Sequence, residues 1–201
     1  MDRNGSENVG GTNHGIVVVG ASAGGLAAVS ELLSALPADF SAPLVLVQHI
    51  HASSSGYLPN LLGKRCRIEV LEVEDKAALQ PGRVYVAPAN YHVLVEKDAT
   101  LSLSVEERVN FARPSIDVLF ETAADAFREA TIGIVLTGAN HDGSHGLWAI
   151  DQAGGRALVQ DPDTAEVETM PRAALAAVPR AVVLRIGEIA PYLADLYRGD
   201  Q

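Results

Sequence analysis

The feature that most constrains this chain is a rhythm. Short, almost wholly apolar runs recur at Ile16–Val19, Pro43–Gln48, Ile132–Thr137, Ala157–Gln160 and Val182–Leu184, and most of the intervening segments carry apolar residues at helical spacing. An apolar run of this length with no alternation suits a strand buried on both faces. After the first run, Leu26, Val29, Leu32, Leu33 and Leu36 line one side of a helix that starts at Gly25 and stops before Pro37. After Pro114, residues Ile116, Leu119, Phe120, Ala123, Ala124 and Phe127 form another apolar face, with Ser115 placed to cap it. Further helices are expected over Tyr57–Leu62, from about Ser144 to Ala153 with a stop at Gly154-Gly155, from near Pro171, and over Glu188–Tyr197. Strands separated by helices imply a parallel sheet with helices on both faces.

One region breaks the rhythm. Arg67–Val73, Arg83–Ala87, His92–Glu96 and Leu101–Val105 read as short strands, and Lys97-Asp98 turns the last two into a hairpin. No repeat, low-complexity tract or linker follows residue 15. The expected organisation is a flexible polar leader over residues 1–15 and one domain over 16–201.

Composition removes several classes of function. A formal net charge of −10 and a pI near 4.9 argue against a protein that coats nucleic acid. No apolar stretch approaches the ~20 residues of a membrane span, and the first 15 residues lack the apolar core of a signal peptide. A cytoplasmic location is the expectation. The single cysteine, Cys66, can form no internal disulfide and reads as a small buried hydrophobe.

In a sheet of this kind ligands bind at the carboxyl ends of the strands. Three polar signals stand there: Ser22 after the first strand, Gln48-His49-Ile50-His51 after the second, and Thr137-Gly138-Ala139-Asn140-His141-Asp142-Gly143 after the strand at 132–137. A serine, a histidine and an aspartate supply a hydroxyl, a base to take its proton and a carboxylate to orient the base. Gly20-Ala21-Ser22-Ala23-Gly24 fits GxSxG in a strand–turn–helix setting, a nucleophile elbow. The plain alternative is a glycine turn with Ser22 capping the helix. A dinucleotide loop needs glycine where Ser22 stands, and no Walker lysine is present. His49, His51, His141 and Asp142 could instead bind a metal, although Gly143 between His141 and His145 disfavours a regular zinc-binding helix. A scaffold that kept such a fold without chemistry would be expected to show the loss first in these three residues. The order Ser, His, Asp differs from the Ser, Asp, His of ordinary α/β-hydrolases.

The ordered set GASAGG, LVLVQHI, PGRVYVAPANYHVLVE, RPSIDVLFETAA, GIVLTGANHDGSHGLWAIDQAGG and the segment Val167–Leu175 resembles the catalytic domain of the CheB family, the chemotaxis protein-glutamate methylesterases, from about residue 16 to 198. The resemblance implies a doubly wound, mostly parallel sheet with helices on both faces and a small antiparallel hairpin. It also implies a serine hydrolase that removes γ-methyl esters from glutamates in the cytoplasmic helices of chemoreceptors, releasing methanol; many members also deamidate glutamines there. The family's serine, histidine and aspartate fall on Ser22, His49 and Asp142. No cofactor, metal, nucleic acid or membrane insertion is implied. Candidate oxyanion or substrate contacts are the amides of Ala23, Ala139 and His49, with Asn140, and Arg113 as the centre of a basic patch or as a structural arginine paired with a carboxylate. His51 is expected near the cleft but outside the triad. The chain departs from the family pattern at Ala23 (commonly Thr or Ser), Ala112 (commonly His before RPS) and Ala139 (usually the Met of GMG). Most relatives carry an N-terminal receiver domain, which the 15 residues ahead of the first strand cannot hold; the expectations left open are a stand-alone enzyme, with a separate receiver-type regulator as its partner, and a catalytic domain excised from a longer chain.

Overall fold

The computed structural model describes residues 15–49 and 57–198. Residues 1–14 of the leader and His51 fall outside these residues. Seven strands form one parallel sheet: β1 (Ile16–Ala21), β2 (Leu44–Gln48), β3 (Glu69–Glu72), β5 (Arg83–Val86), β8 (Thr131–Val135), β9 (Arg156–Gln160) and β10 (Val182–Leu184). Their spatial order is β10-β9-β8-β1-β2-β5-β3. The central strands are buried throughout, as their continuous apolar runs require.

Alternate residues of each strand serve opposite faces. Val17, Val19, Leu44, Leu46, Ile132 and Ile134 face α1 (Gly25–Ala35), α2 (Tyr57–Gly63) and α6 (Ile186–Arg198). Ile16, Val18, Val45, Val47, Val135 and Val159 face α3 (Ile116–Phe127), α4 (Ser144–Gln152) and α5 (Thr169–Ala177). That period-two division explains why one short apolar run can fill two cores.

The irregular region keeps the expected hairpin and adds a strand to it. Arg83–Val86 joins the main sheet as β5, parallel to β2 and β3. β6 (His92–Val95) and β7 (Thr100–Ser104) form the antiparallel hairpin expected around Lys97-Asp98, and β4 (Ala77–Ala78) adds a third strand to it. The two-residue β4 is too short to leave a periodic signal. The expected strand at 67–73 shortens to Glu69–Glu72 at the edge of the sheet. The helix expected near Pro171 starts two residues earlier, at Thr169.

The order of connections places the site. From β1 the chain crosses through α1 to β2 on one side, and from β8, on the other side of β1, it crosses through α4 to β9 farther out. Such a reversal opens a crevice at the carboxyl ends of the strands. Among the described residues no helix is long and apolar enough to cross a membrane.

Candidate active site

Ser22 follows β1, His49 follows β2 and Asp142 lies in the loop between β8 and α4, so three adjacent strands deliver them to one edge. The backbone ties these ends together. Ser22 N–H donates to the Thr137 carbonyl at 3.0 Å, His49 N–H to Ala21 at 2.9 Å and Leu136 N–H to Gly20 at 2.9 Å. The Gln48 side-chain amide, buried at the end of β2, donates to the carbonyls of Ser22 (2.8 Å) and His49 (3.0 Å). The Thr137 hydroxyl sits 2.9 Å from the Ala23 carbonyl and accepts the Val167 N–H at 2.9 Å. The serine turn is therefore clamped from both neighbouring strands.

Two glycines make that turn possible. Gly24 takes φ 74° at the N-cap of α1, a left-handed conformation that other residues reach only with strain. A Cβ at Gly20 would overlap the Ile116 side chain, so only glycine lets the start of α3 press against the end of β1.

His49 bridges the other two residues. Its Nδ1 lies 3.2 Å from Ser22 Oγ and its Nε2 lies 2.9 Å from Asp142 Oδ2. An ionised carboxylate can only accept, so the ring proton belongs on Nε2 and the Nδ1 lone pair faces the serine hydroxyl. The Asp142 side chain is fully buried, whereas 15% of the His49 side chain remains exposed.

Asp142 does more than orient His49. Its Oδ2 also accepts the Ile116 N–H at 2.7 Å, and its Oδ1 accepts from Ser115 Oγ (2.8 Å), Asn110 Nδ2 (3.1 Å) and the Asp117 N–H (3.1 Å). This corrects the expected cap of α3. Ser115 occupies the N-cap position but makes no side-chain cap bond, and its hydroxyl points to Asp142. The carboxylate that caps the helix comes from a loop 25 or more residues away. Burial by itself would push the Asp142 carboxyl up; the hydrogen bonds from His49, the Ile116 amide, Asn110 and the Asp117 amide outweigh it and hold the group below the usual carboxylate range.

The arrangement is reciprocal. Asp117, in the first turn of α3, accepts the Gly146 N–H of the first turn of α4 at 2.7 Å. The Asn110 amide lies between the two carboxylates, 2.7 Å from Asp117 Oδ2 and 3.1 Å from Asp142 Oδ1. Burial raises the Asp117 carboxyl, and the charge of Asp142 adds to that effect. Asn110 and the two helix amides are absent from the residues singled out in the sequence, where Ser115 reads only as a helix cap and Gln48 only as part of a polar strand end. Their only local signal is proximity to an RPS segment or a strand end.

The remaining predicted contacts divide. The His49 amide is committed to Ala21, which removes it as an oxyanion donor. Among the described residues the amides of Ala23 and Ala139 donate to no other group, and both residues are exposed. Asn140 Oδ1 accepts the Asp142 N–H at 3.2 Å and so shapes the loop. Among the described residues Arg113 is paired with no carboxylate. Its Nη1 donates to the carbonyls of Val105 (2.7 Å) and Glu106 (2.9 Å), and it braces the loop ahead of α3. Ala112 forms a two-residue bridge with Val109 in that same loop. Among the described residues no group of three or more His, Cys, Asp or Glu is arranged to hold a metal ion.

Two cavities meet at His49. The larger, about 910 Å³, runs from Ser22 between α1 and α2, past Leu26, Tyr57 and Leu61. The smaller, about 390 Å³, lies on the other side of His49 against Asn110, Phe111, Arg113 and Asn140.

The profile of one family, CheB methylesterase, matches residues 17–193. The chain belongs to the CheB methylesterase family. A Leptospira interrogans protein, provisionally named protein-glutamate methylesterase/protein-glutamine glutaminase, is 51% identical over 178 residues, covering 89% of this chain and 92% of the relative. A Maricaulis maris protein-glutamate methylesterase/protein-glutamine glutaminase is 36% identical over 187 residues, which are 92% of this chain and 47% of the relative. Against that longer relative the chain spans about half the length. The crystal structure of the Thermotoga maritima CheB methylesterase catalytic domain superposes with a TM-score of 0.88 at 30% identity, covering 92% of this chain and all of that one. Of the three departures from the CheB pattern, Ala23 and Ala139 are exposed and Ala112 is half-buried in the bracing loop.

Proposed function

We propose that this protein is a serine hydrolase of the cytoplasm that removes methyl esters from glutamate side chains of chemoreceptors and deamidates receptor glutamines, and that residues 16–201 form its single catalytic domain. The observation that carries the reading is the His49 ring standing between Ser22 Oγ at 3.2 Å and a buried, five-fold hydrogen-bonded Asp142 at 2.9 Å, in a chain of this family.

The chemistry is acyl transfer. Ser22 Oγ attacks the ester carbonyl carbon as its proton passes to His49 Nδ1. Asp142 holds Nε2–H and stabilises the imidazolium. The negative charge on the tetrahedral oxygen is met by backbone amides, for which Ala23 and Ala139 are the assignments. His49 then gives its proton to the departing methoxide, and methanol leaves. Water adds to the glutamyl-serine ester with His49 again taking the proton, and the carboxylate of glutamate is released as Ser22 regains its hydrogen. With a glutamine substrate the same sequence releases ammonia. The Asp142 charge is held near two helix amides at all stages, so no rearrangement is needed when His49 becomes cationic.

The test is methanol release from a methylated receptor, with wild type and Ser22→Ala side by side. Release by wild type and none by the variant is expected. Equal release by both would exclude the serine mechanism. Release of methanol from no receptor, with hydrolysis of simple esters retained, would exclude the substrate.

A further inference from the structure

The loop ahead of α3 holds a phenyl ring in water. Phe111 is 96% exposed, more than any other large apolar residue of the described chain. It sits beside the smaller cavity that His49 lines. Its backbone is in the left-handed region, φ 63°, directly after Asn110 at φ 52°. Asparagine tolerates that conformation; a bulky aromatic residue adopts it only when its surroundings impose it.

Those surroundings are specific. Val109 and Ala112 exchange two backbone hydrogen bonds across the tip, at 3.2 and 2.9 Å. Arg113 holds the carbonyls of Val105 and Glu106, His92 Nε2 lies 3.0 Å from the Glu107 carbonyl, and Asn110 is anchored on Asp117 and Asp142. The tip is therefore tied down at several points, while its largest side chain contributes almost nothing to the core. A rigid loop that presents an aromatic ring pays little ordering entropy on binding, the usual property of an interface anchor. Arg108 lines the same cavity and forms no ion pair among the described residues, in a chain whose net charge is −10. The exposed acids of the loop, Glu106 and Glu107, do not line that cavity.

We infer that Phe111 and Arg108 form the docking contact for the protein substrate: the phenyl ring packs on an apolar side chain flanking the modified glutamate, and the Arg108 guanidinium pairs with an acidic side chain beside it. Because His49 forms a wall of this cavity, a polypeptide that places an ester at Ser22 has its neighbouring residues within reach of the loop tip. The inference rests on the receptor-esterase reading above and adds to it which surface reads the polypeptide around the ester. Neither residue touches the reacting atoms.

The experiment compares two substrates. One is methylated receptor; the other is the γ-methyl ester of N-acetylglutamate, which has no flanking residues. Phe111→Asn removes the ring while suiting the left-handed backbone, and Arg108→Glu reverses the charge. For Phe111→Asn, kcat/KM on receptor is expected to fall about 10- to 100-fold, mainly through KM, with small-ester hydrolysis within about twofold of wild type. Arg108→Glu is expected to fall about 10-fold on receptor alone, with the loss shrinking as salt is added. If both variants match wild type on receptor, the docking contact is wrong and the esterase reading stands. If they lose both substrates equally, the loop supports the catalytic residues and the docking contact is again wrong. If wild type hydrolyses the small ester and no receptor, the substrate reading fails and the docking contact fails with it.

Discussion

Replacing Asp142 by asparagine tests whether the residue that orients His49 also holds two helices together. On sequence grounds Asp142→Asn is expected to keep the fold and to cost roughly 10⁴ in turnover, by analogy with other Ser-His-Asp triads. The structure adds a second cost. Asp142 accepts five hydrogen bonds, two on Oδ2 and three on Oδ1. An asparagine has a single acceptor oxygen and two donors. The least harmful placement keeps the oxygen on His49 and Ile116 and turns the NH₂ towards Ser115, Asn110 and the Asp117 N–H. The Ser115 hydroxyl can rotate to accept, but the Asp117 N–H loses its partner in a buried site. An orphaned buried donor costs about 1–3 kcal/mol, and losing a carboxylate at a partly buried helix N-terminus adds roughly 1–2 kcal/mol. The sum, about 2–5 kcal/mol, is a large part of an ordinary stability of roughly 5–15 kcal/mol. For a chain of this size it lowers the melting temperature by about 5–15 °C.

Thermal unfolding followed by circular dichroism at neutral pH checks this, with Ser22→Ala as the control that removes only the serine hydroxyl. The pH dependence supplies a second reading. The folded-state pKa of Asp142 is depressed, so its stabilisation is complete above the unfolded value of about 3.9 and fades as pH falls through the lower folded value. The gap between wild type and Asp142→Asn should therefore be constant near neutrality and close in acid. Asp117, whose carboxyl is raised by burial, works in the opposite direction, since its contribution improves as pH falls through its folded value. An Asp142→Asn protein that melts within about 2 °C of Ser22→Ala would show that the carboxylate does not cap α3.

Other outcomes follow from the same contacts. Ser22→Ala is expected to abolish methanol release while changing stability by less than about 1 kcal/mol, because among the described residues Ser22 Oγ makes one side-chain hydrogen bond, to His49; acyl-enzyme trapping and a melt measure the two effects. Gly20→Ala should destabilise by about 1–3 kcal/mol through the overlap with Ile116, measured by urea unfolding. Activity should survive a chelator unchanged, because both ring nitrogens of His49 are engaged by Ser22 and Asp142 and none is left for a metal; assay with and without EDTA checks it. Turnover of an acidic receptor should rise a few-fold as salt is raised from low to about 0.15 M, since a net charge of −10 opposes the encounter; a steady fall would mean that local attraction dominates.

The order of apolar runs by itself determined the parallel sheet. β1, β2, β8 and β9 are readable because a strand buried on both faces needs an unbroken apolar stretch, and that demand is local. The same logic put Ser22, His49 and Asp142 at strand ends, where an α/β sheet opens its crevice. What the tertiary structure decided is which groups serve those three. Asn110 and the amides of Ile116 and Asp117 lie 25 to 32 residues from Asp142 in sequence, and no periodicity joins them. Ser115 beside Ile116 reads locally as a helix cap, yet a buried carboxylate from another loop satisfies the helix amides better and takes the hydroxyl as a further donor. Arg113 reads in the sequence as the centre of a basic patch or as a structural arginine paired with a carboxylate, yet its Nη1 is engaged by two carbonyls because the loop it braces has no regular structure to satisfy them. Strands and helices follow from spacing along the chain, whereas the partners of a buried charge follow from whatever polar groups the fold brings within three ångströms of it.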